Sequence, residues 1–130
     1  MGGAIALYDT FIQRERVMGL DFRGSSASWS YSGFNSFRTR LAKEIDISLQ
    51  DMEGFGGDKP WSEVNDPIVG FLHHSDCEGE LTAEQCATIA PRLAELVIAW
   101  GDDDYDKRKA LKLSEDMIAL AKAGEALEFI

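Results

Sequence analysis

The sequence predicts a single α+β domain in which several helices pack on a small antiparallel sheet. Apolar residues recur at helical spacing in several stretches of the chain, and two shorter stretches alternate apolar with polar residues on either side of a Gly-Ser-Ser turn. The length of 130 residues is typical of one domain. We therefore predict an N-terminal helical extension at residues 1–17 and one α+β domain at residues 18–130.

The first predicted elements are a helix and a hairpin. Apolar side chains at positions 5, 8, 11 and 12 predict an amphipathic helix over residues 4–17. Residues 18–23 alternate apolar and polar side chains, and residues 27–31 alternate serine with Trp29 and Tyr31. Such alternation around a short turn predicts an antiparallel hairpin with one aromatic face.

A helix with one buried side is expected after the hairpin. Its apolar stripe consists of Phe34, Phe37, Leu41 and Ile45. Arg38 and Arg40 lie mostly off this stripe, which predicts that both are in contact with solvent. Residues 47–52 are expected to form a short helical or irregular stretch that leads into a glycine-rich surface loop, and Pro67 is a good start for a further helix.

The next helix has the clearest start signal in the sequence. Thr82 and Gln85 match a capping box, in which each side chain satisfies a backbone N–H of the other residue. The apolar stripe that follows consists of Cys86, Ile89, Leu93, Val97 and Trp100. Pro91 lies within this stretch on its polar side, so the stripe keeps its phase. We predict one kinked helix, or two helices stacked with little offset.

A last helix and a strand are expected to close the chain. The run of aspartates at 102–104 favours a helix N-terminus, and Gly124 favours a helix end. The buried face of this helix is predicted to comprise Ala110, Leu113, Met117, Leu120 and Ala121. Residues 126–130 predict an edge strand beside the hairpin.

Charge and composition limit the classes of function. The chain carries 13 basic and 23 acidic side chains, a net charge of −10, which opposes binding to duplex nucleic acid through its phosphates. Residues 51–130 hold 18 of the acidic side chains, so we expect an acidic face able to engage a protein partner. No stretch approaches the roughly 20 apolar residues of a membrane span, and two cysteines make no disulfide framework. We expect a cytoplasmic protein without membrane association.

One loop concentrates the residue types that bind metals. Its candidate ligands are His74, Asp76, Cys77 and Glu78. Their spacing partly matches a calcium loop, although imidazole is a poor ligand for a hard cation. Zinc or another transition metal is a second possibility, with His73 or His74, Asp76, Cys77 and also Cys86 as ligands, although the spacing of known zinc motifs is absent. The third interpretation is structural, with carboxylates that turn the chain and cysteines that pack as small core residues.

A second candidate site combines aromatic and guanidinium groups. Its residues are Arg23, Trp29, Tyr31, Arg38 and Arg40. Aromatic rings beside arginines can stack a base and hold a phosphate, so these residues predict a surface for a small phosphorylated ligand. The competing interpretation places Trp29 under Phe34 and Phe37 in the core, with the arginines only solvated.

Several segments together resemble small acidic uncharacterised proteins of actinobacteria and their phages. These segments are residues 18–23, 28–34, 51–57, 74–82 and 127–129. The resemblance covers residues 18–130 and implies that Met18 is the usual start. It implies no activity, and a phage setting favours a small protein that intercepts a host factor or signal molecule.

These observations favour a binding protein without catalytic activity. We expect it to engage either a host protein through its acidic face or a small phosphorylated ligand near Trp29 and the arginines. The alternative is a metal-dependent enzyme or metal-binding protein centred on His74, Asp76 and Cys77. No cofactor is expected under the first interpretation, and the sequence leaves the oligomeric state open.

Overall fold

The computed structural model describes residues 19–130, so the predicted helix over residues 4–17 lies outside the described residues. The strands are β1 (Gly19–Leu20), β2 (Phe22–Arg23), β3 (Trp29–Ser30), β4 (Glu80–Leu81) and β5 (Leu127–Phe129). The helices are α1 (Tyr31–Glu44), α2 (Val69–Leu72), α3 (Ala83–Val97) and α4 (Tyr105–Ala123), with short 3-10 turns at Leu49–Asp51 and Trp61–Glu63. Helices packed on small antiparallel sheets confirm the predicted α+β class.

The predicted hairpin forms, but its first strand serves two sheets. β1 pairs antiparallel with β3, with Leu20 opposite Trp29. β2 instead pairs with β5, with Phe22 opposite Phe129. Asp21 lies between the two short strands and exchanges backbone hydrogen bonds with Ile130. The single strand predicted for residues 18–23 is therefore divided, because the C-terminal segment takes its second half as a partner.

The C-terminal strand is central, so the predicted edge position is wrong. β5 lies between β2 and β4 in a three-stranded antiparallel sheet. Leu127 faces Leu81 of β4, and both side chains are buried. The sequence predicts a loop over residues 72–82, which include β4. This third strand therefore has no counterpart among the predicted elements.

The start of helix α1 is set by its N-cap residue, Ser30. The Ser30 hydroxyl accepts a hydrogen bond from the Gly33 backbone N–H, so Tyr31 belongs to the helix instead of the preceding strand. Phe34, Phe37 and Leu41 are fully buried as predicted. Arg38 is also buried, which overturns its expected exposure, because it lies on the same helical stripe.

Helices α3 and α4 pack against each other and follow the local signals closely. Thr82 and Gln85 form both hydrogen bonds of the capping box. Pro91 lies inside one continuous helix, so the alternative of two stacked helices is wrong. The Asp104 carboxylate caps α4, and Gly124 ends it in a left-handed conformation at φ 70°. None of the described helices is long and apolar enough to cross a membrane.

Candidate functional site

Trp29 lies in the core and does not contribute an exposed ring to a ligand surface. Its side chain is 4% exposed, and its ring stacks on Phe37 with the centroids 4.8 Å apart. The indole N–H donates a hydrogen bond of 3.0 Å to the Asp106 carboxylate. This placement matches the competing interpretation from the sequence, because the strand that carries Trp29 turns its aromatic side toward α1.

Arg40 is held in a structural ion-pair cluster. Its guanidinium contacts Asp104 at 2.8 Å and Asp106 at 3.1 Å, and it lies over the Trp100 ring. The hydrogen bond from Arg40, followed by smaller contributions that include backbone N–H donors, lowers the pKa of Asp104 to about 2 despite partial burial. The two carboxylates already neutralise this guanidinium, so Arg40 tethers the start of α4 to α1.

Arg23 and Tyr31 lie in two further environments. Arg23 is exposed and pairs with Glu128 across the β2–β5 sheet at 2.9 Å. Tyr31 is half-buried, and its pKa is raised by burial first and then by the nearby Cys77 and Asp76. The five residues of the predicted aromatic and arginine surface therefore do not form one surface.

Arg38 is the member of this set whose environment suggests a ligand. Its side chain is 4% exposed, and its Nη1 donates to the backbone oxygens of Leu72 at 3.1 Å and His74 at 2.7 Å. Burial lowers the pKa of the guanidinium, and Asp76 opposes that effect. Its Nε is buried and has no hydrogen-bond partner among the described residues.

Two aromatic rings lie against the Arg38 guanidinium. Its Cζ lies 4.5 Å from the centre of the Phe34 ring and 5.1 Å from the centre of the Phe55 ring. A positively charged guanidinium is attracted to the face of an aromatic ring. The rings supply no hydrogen-bond acceptor, so these contacts do not replace the missing partner of Nε. A buried donor without an acceptor costs about 1–3 kcal/mol, so Nε is an energetically unsatisfied group in the core of the site.

A cleft of about 610 Å³ opens beside Arg38, a volume within the range of small-molecule sites. Its lining comes from α1, the glycine-rich loop, the 3-10 turn after that loop and the segment after α2. The lining residues are Asn35, Arg38, Glu53, Gly54, Phe55, Trp61, His73, His74, Ser75 and Asp76. The cleft therefore joins one residue of the predicted arginine surface to two residues of the predicted metal loop.

One wall of the cleft is aromatic and firmly held. The Trp61 ring packs against His73 with centroids 5.5 Å apart and meets the edge of Phe55 at 5.9 Å. Its indole N–H donates to the Glu53 backbone oxygen, and its backbone N–H donates to the Glu53 carboxylate. These bonds fix Trp61 and Glu53 relative to each other before any ligand arrives.

His74 is engaged in the structure of its own loop. Its Nδ1 lies 2.8 Å from the Ser75 backbone oxygen and its Nε2 lies 3.1 Å from the Glu80 backbone oxygen. The ring also stacks on Phe129 with centroids 3.9 Å apart. Both ring nitrogens thus face carbonyl groups, so metal ligation by His74 would require the ring to leave these contacts.

The remaining metal candidates do not converge. Asp76 is half-buried, while Cys77 and Glu78 are exposed. The second cysteine, Cys86, is buried in α3, and burial raises the pKa of its thiol. Within residues 19–130, no three His, Cys, Asp or Glu side chains are grouped as a metal site would require. Zinc or calcium binding by the loop stays a prediction.

Most residues of the cleft were not predicted from the sequence. Glu53, Phe55 and Trp61 were not predicted as site residues, because the stretch before Pro67 has no periodic pattern and is expected to form a surface loop. The burial of Arg38 did leave a signal. It lies four residues after Phe34 and three before Leu41, which is the spacing of a buried stripe.

Comparisons with known proteins do not add to this description. No family model matches the chain, and neither curated proteins nor solved structures match it. The resemblance to actinobacterial and phage proteins therefore stays a prediction.

Proposed function

We propose that the chain is a non-catalytic binding protein that takes a small ligand with an anionic group in the cleft beside Arg38. The observation that carries this proposal is the buried guanidinium with an unpartnered Nε. A carboxylate or phosphate oxygen is the acceptor that a guanidinium edge binds best, since the bond is charge-assisted. Binding would satisfy a donor that the folded chain leaves unsatisfied.

The Nη1 contacts support this role because they orient the guanidinium. Two backbone oxygens, from Leu72 and His74, hold Nη1 on the side away from Nε. The opposite edge, formed by Nε and Nη2, is then the edge that a two-oxygen anion would meet. An arginine held in this way loses little side-chain entropy on binding.

An anion can reach the buried Nε only if a neighbouring group moves, and we propose that this group is Phe55 of the glycine-rich loop. Its half-buried ring lies against the guanidinium, and Nε has almost no accessible surface. Gly54 and Gly56 flank this residue with φ angles of 85° and 104°, which only glycine adopts readily. We propose that the Phe55 ring gives up its edge contact with Trp61 when a ligand enters.

The test is the affinity for two simple anions, benzoate and phenyl phosphate, measured by isothermal titration calorimetry. Arg38→Lys keeps one positive charge but lacks the two-nitrogen edge, so we expect binding to weaken by at least about tenfold. Arg40→Lys is the matched control, because Arg40 pairs with Asp104 and Asp106 away from the cleft. Unchanged affinity in folded Arg38→Lys, or no binding of either anion to the wild type, would overturn the proposal.

A further inference from the structure

The charged residues that line the cleft limit which ligands it can bind. This step rests on the proposed function, in which the cleft takes a ligand with an anionic group. Arg38 is the single arginine in the lining and no lysine accompanies it, whereas Glu53 and Asp76 supply two carboxylates. One guanidinium thus faces two carboxylates in this lining. A ligand of two or more negative charges would meet one cation and two like charges, which disfavours its binding.

The field of the whole chain acts in the same direction. Its net charge of −10 lowers the local concentration of polyanions and raises that of cations, and it does not repel a molecule without net charge. A dianionic phosphate monoester is thus a poor match for this cleft, although a single carboxylate satisfies the Arg38 edge. The two remaining carboxylates call for a positive group on the same ligand.

Glu53 is positioned to meet such a group. Its Oε1 accepts the Trp61 backbone N–H at 3.2 Å, so one carboxylate oxygen is held at the aromatic wall. A carboxylate has lone pairs beyond that one bond, which allows it to accept from an ammonium group as well. Asp76 lines the same cleft as Arg38 and Glu53, so it is the second acid of the lining.

We infer that the cleft binds a small zwitterion of the amino-acid type that bears a flat or apolar side chain. Its carboxylate meets the Nε and Nη2 edge of Arg38, its ammonium group faces Glu53 and Asp76, and its side chain packs on the Trp61 and His73 wall. Each of the three ligand groups then has a counterpart of matching chemistry in the lining.

Four probes that share an aromatic ring test this inference on the full-length protein. They are L-phenylalanine, N-acetyl-L-phenylalanine, L-phenylalanine amide and phenyl phosphate, which present a zwitterion, a monoanion, a cation and a phosphate monoester. We expect L-phenylalanine to bind at least about tenfold more tightly than each of the others, because only it pairs with both charge types.

Glu53→Gln isolates the ammonium contact. The amide oxygen can still accept the Trp61 N–H, so the fold is kept while the charge is lost. We expect this variant to weaken L-phenylalanine by about tenfold and to leave N-acetyl-L-phenylalanine unchanged. Glu63→Gln is the control, since Glu63 is an exposed acid of the same 3-10 turn as Trp61 and does not line the cleft.

The outcomes separate this inference from the proposed function. If phenyl phosphate or N-acetyl-L-phenylalanine binds as tightly as L-phenylalanine, and Arg38→Lys weakens that binding, the cleft is an anion site and the zwitterion inference is wrong. If Glu53→Gln weakens all probes equally, Glu53 has no selective role and the inference also fails. If no probe binds in an Arg38-dependent manner, both are wrong.

Discussion

The Nη1 atom of Arg38 donates a 2.7 Å hydrogen bond to the backbone oxygen of His74, and this bond joins the two regions that the sequence had separated. Arg38 belongs to the buried side of α1, and His74 begins the loop that leads to β4. The arginine thus holds one wall of the cleft, and its other edge is the one that we propose meets a ligand. The same side chain therefore has a structural and a proposed binding role.

A substitution of Trp29 tests whether its aromatic cluster belongs to the core. Trp29→Ala removes a ring that stacks on Phe37 and a hydrogen bond to Asp106, so we expect the free energy of unfolding to fall by about 3–5 kcal/mol. Tyr105→Ala is the control, because Tyr105 is 66% exposed and its loss is expected to cost less than about 0.5 kcal/mol. Urea unfolding followed by circular dichroism measures both. Equal stability of the two variants would contradict the core assignment.

Lys107 is expected to stabilise the C-terminal end of α3. Its buried Nζ donates to the backbone oxygens of Ile98 and Trp100 and to the exposed Asp102. Lys107→Met leaves these two carbonyl groups without their donor, which is expected to cost about 2 kcal/mol of unfolding free energy. Lys112 is exposed and pairs with Asp116 on the same helix, so Lys112→Met is expected to change stability by less than about 0.5 kcal/mol in the same denaturant assay. A smaller loss for Lys107→Met than for Lys112→Met would exclude this role.

The stability of the fold is expected to depend on pH through the carboxyl group of Asp104. The pKa of its carboxyl group is lowered from 3.8 to about 2 in the folded chain, so its contribution is fully present above pH 4 and is lost as the pH falls toward 2. Asp104→Asn keeps an oxygen that can cap α4 but removes the charge. Because Arg40 is 40% exposed, we expect a loss of only about 1 kcal/mol at pH 7.

The difference between wild type and Asp104→Asn is expected to shrink as the pH falls from about 4 to 2, where the wild-type carboxyl group is also becoming neutral. Thermal unfolding at a series of pH values measures it. Asp103→Asn is a suitable control, since Asp103 is exposed and lies directly before Asp104 in the chain. A constant difference across this pH range would mean that the charge of Asp104 does not stabilise the fold.

The elements with local signals were predictable from the sequence. The capping box at Thr82, the helix start at Asp104 and the helix end at Gly124 depend on residues close together in the chain, and all three form as expected. The central position of β5 was not predictable in the same way. That position depends on the pairing of β5 with β2, in which Phe129 lies opposite Phe22. Phe22 lies more than a hundred residues earlier in the chain.

The composition of the cleft was also only partly predictable, because it too depends on contacts between residues far apart in the chain. Arg38 was proposed for ligand binding, but the surface expected around it does not form, because Trp29 packs into the core and Arg40 pairs with two aspartates. The cleft instead brings Arg38 together with Glu53 and Trp61 through tertiary packing. Spacing along the chain carries no information about such contacts between an irregular loop and a helix.

The most direct test of the central claim is the Nε–Hε signal of Arg38 in a ¹H–¹⁵N NMR spectrum, assigned by its loss in Arg38→Lys. We propose that this N–H gains an anionic acceptor when a ligand binds. Benzoate is therefore expected to shift the signal downfield in a saturable manner, while the Nε–Hε signals of Arg23 and Arg92 outside the cleft stay in place. An Arg38 signal that does not move as benzoate is added would contradict the account.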